Sequence, residues 1–125
     1  MSESDADPWV YTRGKIEEAI SQGDAERLRC WVVAVSMYDA DASYAEDLCL
    51  RLSNHPDEIV RGNAILGFGH IARVHRRLDE ERVKPLIVAA FLDSSWNVTG
   101  HAFSAREDTQ FFLGWKFEPL DKQSE

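Results

Sequence analysis

The chain has 125 residues, 44% of them apolar and 29% charged, with a formal net charge of −8. That length suits one domain around a single core, and the apolar fraction excludes wholesale disorder. The acidity opposes wrapping on nucleic acid or anionic lipid and favours encounter with a basic partner, with plain solvation of the surface as the alternative. The acidic surplus is carried by the first fifty residues and by the stretch from Asp93 onward, whereas residues 51 to 92 hold a small basic excess. No apolar run approaches the ~20 residues that span a bilayer. The opening MSESDAD is acidic where a secretory signal is basic and then apolar, so a cytoplasmic location is expected. Cys30 and Cys49 lie among apolar residues without a metal-like spacing, which predicts two buried free thiols in a reducing compartment.

Residues 1 to 7 read as a mobile polar tail. Asp7 before Pro8 reads as an N-cap with proline in the first helical position. It opens a helix over residues 8 to 22, and the thin stripe of Trp9, Ile16, Ala19 and Ile20 suits an end cap. Gly23 ends that helix, and Asp24 starts a second with a denser apolar set of Leu28, Trp31, Val32 and Val35. Asp41 caps a third helix through Tyr44, Leu48 and Leu52, closed by Asn54-His55-Pro56. The fourth, over residues 56 to 77, has Asp57 and Glu58 in its first turn and Arg73, His75, Arg76 and Arg77 at its end, an order that suits the helix dipole. A fifth follows Asp79, with Val83, Leu86, Ile87, Ala90 and Phe91 inward and Pro85 in its first turns. Asp93-Ser94-Ser95 leads into a sixth, over residues 96 to 115, with Val98, Ala102, Ala105, Thr109, Phe112 and Leu113 on one side. Residues 116 to 125 form a tail whose Phe117 and Leu120 are expected to fold back on the end of the stack. No segment alternates over strand length, so the class is all-α, six helices in three antiparallel pairs.

Sliding the chain on itself aligns residues 28 to 35 with 60 to 67 and 98 to 105, at offsets of 32 and 38. Val32, Ala64 and Ala102 then share one column, and Val35, Gly67 and Ala105 another. Periods in this range belong to helical solenoids, in which each helix pair stacks on the next. Gly62, Gly67 and Gly69 fit that picture, because each glycine costs a helix about 1 kcal/mol relative to alanine and asks for a close neighbouring backbone in return.

The central stretch DEIVRGNAILGFGHIA resembles the HEAT or HEAT-like repeat, whose second helix opens with an aspartate shortly before Val-Arg. It then places alanine, a Leu-Gly pair and a final isoleucine where Ala64, Leu66-Gly67 and Ile71 stand. Specific residues match from 57 to 71, and the flanking repeats match by periodicity. The resemblance implies a short right-handed α-solenoid in one domain over residues 8 to 115, with repeats at about 8 to 38, 41 to 77 and 79 to 115. It also implies that Asp57 and Arg61 tie neighbouring repeats near the turns. Arg29 fits the Arg61 column, and Thr99 does not.

Chemistry is harder to place than architecture. His70 and His75 are five residues apart, on different sides of a helix, so they make no helical zinc pair, and no cofactor is expected. The carboxylate pairs Asp39 with Asp41, Glu46 with Asp47 and Glu107 with Asp108 read as solvated faces. The basic run Arg73, His75, Arg76, Arg77 reads as a helix end balanced by Asp79, Glu80 and Glu81, with an anion or nucleic-acid contact as the alternative. Inner helices of such a stack present equivalent positions as rows. Trp31, Asn63 and His101 make one row and Tyr38, His70 and Asp108 another, mixtures that suit a protein-binding patch. Together with Asp41 and Arg73 they are the candidate partner-binding residues: Tyr38, Asp41, Asn63, His70, Arg73, His101 and Asp108. The expected function is a non-catalytic protein-binding module, a monomer before it binds. By analogy alone, its most specific form is an immunity protein that neutralises a basic bacterial toxin domain. A HEAT-like DNA glycosylase, a HEAT-like chromophore lyase and an adaptor subunit of a larger assembly are the alternatives.

Overall fold

Each helix opens on a side chain that accepts from its first free backbone N–H groups, which would otherwise lack partners. In the computed structural model, which describes residues 9 to 117, these caps are Thr12, Asp24, Asp41, Asp57, Asp79 and Ser95. They begin α1 (Arg13–Gln22), α2 (Ala25–Tyr38), α3 (Ala42–Leu52), α4 (Glu58–His75), α5 (Glu80–Ala90) and α6 (Trp96–Leu113). The described chain is all-helical. Helix ends are equally local: Gly23 and Gly114 close α1 and α6 in the left-handed region at φ 68° and 70°, where glycine meets no Cβ penalty. Arg76 closes α4 at φ 55°. No helix among the described residues is long and apolar enough to cross a membrane.

The helices form two layers. α4 lies between α2 and α6, and these two contacts, α4 with α6 above all, are the most extensive in the molecule. Behind them α1 packs on α2, α3 on α2 and α4, and α5 on α4 and α6. That order puts α4 at the centre of the described chain. Its core runs from Ile16 through Leu28, Val32, Leu48, Phe68 and Ile87 to Phe117. Trp31 belongs to it as well, its indole Nε1 donating to the Trp9 carbonyl at 2.8 Å.

Glycines set how closely α4 meets its neighbours, although side chains rather than backbone fill the space they leave. A Cβ at Gly67 would stand 2.6 Å from Cys49 Sγ of α3 and 3.2 Å from Ser36 of α2. On the opposite flank, Gly62 abuts Asn97 and His101 of α6, and a Cβ at Gly69 would stand 2.6 Å from Asp108 Oδ2.

Polar ties join successive layers. Arg29 donates from Nε and Nη2 to both carboxylate oxygens of Asp57, at 3.1 and 2.6 Å, and Arg61 does the same to Asp93 at 2.8 and 2.9 Å. Asp57 and Arg61 therefore link α4 in opposite directions. Thr99 carries no such tie; its hydroxyl donates to Ser95 O at 2.8 Å. The acceptor for the last layer is Asp93, ahead of the helix.

Several expectations need correction. α1 begins at Arg13 rather than residue 8, because Thr12 Oγ1 accepts from Lys15 N at 3.1 Å and takes the capping role; Asp7 and Pro8 lie outside the described residues. α4 begins at Glu58, since Asp57 accepts from Ile59 N and Val60 N at 3.0 Å each and leaves Pro56 ahead of the cap. Pro85 lies in the first two turns of α5, as expected. α6 ends at Leu113 because Gly114 turns the chain, which delivers Trp115 and Phe117 into buried positions. Phe117 folds back as expected; Leu120 lies outside the described residues. Cys49 is buried, but Cys30 is exposed.

Candidate functional site

Four of the seven expected contact residues come together. His70 on α4 is influenced by the charges of Arg73 on the same helix and of Asp108 and His101 on α6, and Asp108 in turn by His70 and Arg73. Arg73 Nη2 lies 3.2 Å from His70 Nδ1. A guanidinium only donates, so Nδ1 accepts and His70 is a neutral imidazole in that contact. Burial and the Arg73 charge both hold His70 below the usual histidine range, against the opposing pull of Asp108; burial does the same to His101. Burial also lifts the Asp108 carboxyl, with His70 and Arg73 pulling it back down. The cluster offers an aromatic acceptor, a cation and a carboxylate at the seam of two inner helices, an array suited to hydrogen-bonded recognition.

The other three stand apart from it. Asp41 caps α3 and pairs with Arg13 of α1 at 2.9 Å, which commits it to the outer layer. Asn63 donates from Nδ2 to the Arg29 carbonyl at 3.0 Å, so its amide helps join α2 to α4. Tyr38 ends α2 with 76% of its surface exposed. The other candidate features are largely absorbed by the fold. Asp39 accepts from the Tyr11 hydroxyl at 3.0 Å, Glu46 accepts from Asp79 N at 2.8 Å, and the Arg76 guanidinium lies 4.7 Å over the Phe112 ring. Among the described residues no group of three His, Cys, Asp or Glu side chains is placed to hold a metal ion.

A second surface escaped the sequence reading. Trp96, Phe103 and Phe111 project from α6 with 92%, 49% and 81% of their surface exposed, and Leu92, just before the helix, is 88% exposed. Spacings of seven and eight residues put the three aromatics on one side of the helix, opposite the buried Val98, Ala102, Ala105 and Thr109. Phe103 is braced edge-to-face by Phe91, with ring centroids 4.7 Å apart. Near the C-terminal end of the stripe, Glu107, Asp108, Gln110, Phe111 and Phe112 line an open groove of about 610 Å³. The signal was present as two aromatic intervals, but it coincided with a helix whose other side already supplied a complete core stripe. Against protein-family models, curated proteins and solved structures, the chain finds no match.

Proposed function

We propose that the chain is a non-catalytic, HEAT-like module that binds another protein, in its most specific form a cytoplasmic immunity protein that neutralises a basic toxin domain. The observation that carries this reading is the exposed aromatic stripe Trp96, Phe103 and Phe111 on α6. Large aromatics left in water on one face of a small domain are the usual material of an interface core. The polar cluster of His70, Arg73, His101 and Asp108 supplies hydrogen-bonding groups at the next seam, and the net charge of −8 steers a basic partner toward the molecule. A basic partner suits nuclease toxins, whose own substrate is an anion.

The reading is tested by co-expressing the chain with the product of the adjacent gene. A stable complex is expected, along with relief of any growth arrest which that product causes alone. The double substitution Trp96→Ser/Phe111→Ser should weaken the complex by about 2–4 kcal/mol, the range of aromatic hot spots, while the free chain keeps its helical circular dichroism. Failure of the neighbouring product to bind, in titration calorimetry at micromolar concentrations, would sink the immunity reading.

A further inference from the structure

The exposed face of α6 is the register counterpart of the α4 face that α6 itself covers. With the offset of 38 between the last two repeats, Glu58, Gly62, Ile65 and Gly69 of α4 correspond to Trp96, Gly100, Phe103 and Glu107 of α6. On α4 that face is filled: Ser95 Oγ donates to Glu58 Oε1 at 2.9 Å, Asn97 and His101 occupy the space at Gly62, Ile65 is buried, and Asp108 lies against Gly69. On α6 Trp96 and Glu107 are exposed, Phe103 is half covered by Phe91 and the Arg106 guanidinium, and a Cβ at Gly100 would meet no atom within 4 Å. Gly100 thus repeats a notch that receives side chains one layer earlier. It lies in an apolar strip that spans about 22 Å from Trp96 to Phe111, at 1.5 Å per helical residue.

Resting on the protein-binding reading above, we propose that α6 receives an amphipathic helix of a basic partner, laid along it as α6 lies along α4. One side chain of that helix enters the notch at Gly100, and a lysine or arginine faces Glu107. Two observations select this occupant. The packing relation between consecutive inner helices already exists in the fold and continues across the open face. Glu107, exposed between Phe103 and Phe111, forms no ion pair among the described residues, whereas Asp93 is taken by Arg61 and Asp108 sits beside His70 and Arg73. A second copy of the chain carries the same net charge of −8, which disfavours self-association at low salt. Residues 118 to 125 offer only Pro119 and Leu120 as apolar groups, too few to cover three aromatics.

The test is a ¹⁵N NMR titration of the full chain with an 18-residue Leu/Lys amphipathic helix, beside a Leu/Glu helix of the same apolar pattern. The Leu/Lys probe is expected to shift the Trp96 indole and the amides of Gly100, Phe103, Glu107 and Phe111, and to bind at least tenfold more tightly than the Leu/Glu probe. Gly100→Gln, which fills the notch at a solvent-facing helical site, should weaken it at least tenfold, and Glu107→Gln should reduce the preference for lysine. No shift on α6 at millimolar probe, or shifts confined to the Tyr38 and His70 face, overturns the proposal. So does a sedimenting dimer that Trp96→Ser/Phe111→Ser splits, or a set of α6 shifts on deleting residues 118 to 125, each of which assigns the face to another occupant. If the partner protein binds the chain but neither Gly100→Gln nor Glu107→Gln weakens it, the helix-docking mode fails and the protein-binding reading stands.

Discussion

A methyl group added at Gly67 has nowhere to go, because the Cys49 sulfur that it would strike is fully buried and Ser36 closes the other side. Overpacking of this kind typically costs about 1–3 kcal/mol, so Gly67→Ala should lower the urea midpoint by a corresponding amount. Gly100→Ala should do the reverse and gain about 0.5–1 kcal/mol, since the same methyl group meets only solvent and removes backbone freedom from the unfolded chain. Both glycines break the same helical rule; only their neighbours separate them. Asp57 illustrates the opposite situation, a role readable from sequence. The Arg29 guanidinium, followed by the N–H groups of Val60 and Ile59, holds its carboxyl down at about 2 against an ordinary 3.8. A depressed carboxylate pKa adds stability that is fully present above pH 3.8 and disappears as the pH falls through 2. Asp57→Asn should therefore be less stable than the wild type at pH 7, with the gap closing as the pH falls and vanishing only below pH 2, as read by denaturant unfolding at each pH.

At the scale of helices, starts were more legible than partners. Asp24 and Asp41 cap their helices as the sequence suggests, and Ser95 is the cap within the Asp93-Ser94-Ser95 turn, because an N-cap bond closes within three residues and needs no tertiary information. The start of α1 falls at Arg13 rather than residue 8 because Thr12 Oγ1 accepts from Lys15 N, a cap that the sequence reading did not consider. The ties between helices are another matter. Arg61 was legible as a tie through the family resemblance, but its partner Asp93 lies 32 residues away and read only as a turn residue. These two side chains are mostly covered, whereas those of Arg13 and Asp41 are about half exposed. Screening by water weakens exposed pairs. A double-mutant cycle on Arg61 and Asp93 should accordingly give a coupling of about 1–2 kcal/mol, and one on Arg13 and Asp41 should give less than about 0.5 kcal/mol.

For the molecule as a whole, charge and exposed apolar surface act at different ranges. The net charge of −8 reaches about a Debye length, ~10 Å at 0.1 M salt, and governs encounter, while the α6 aromatics govern how long a complex survives once formed. Stopped-flow association with a basic partner should slow by about tenfold between 20 and 500 mM salt, with a much smaller change in dissociation rate. Within the candidate site, His70, His101 and Asp108 stand in the rows of equivalent helix positions, whereas Arg73 belongs to the basic run at the end of α4. Asp41 and Asn63 stand apart from that cluster, bonded to Arg13 and to the Arg29 carbonyl.

Among the described residues, the amino-acid sequence by itself determined the all-helical class, the six helices and several of their caps. All of these follow from contacts within a few residues or from a fixed helical period. Tertiary structure alone decided which faces stay wet. Cys30 and Trp96 look as apolar in sequence as Val32 and Val98, and whether such a residue is buried depends on a neighbouring helix being there to cover it. Periodicity records that α6 has two apolar sides; the stack covers one of them.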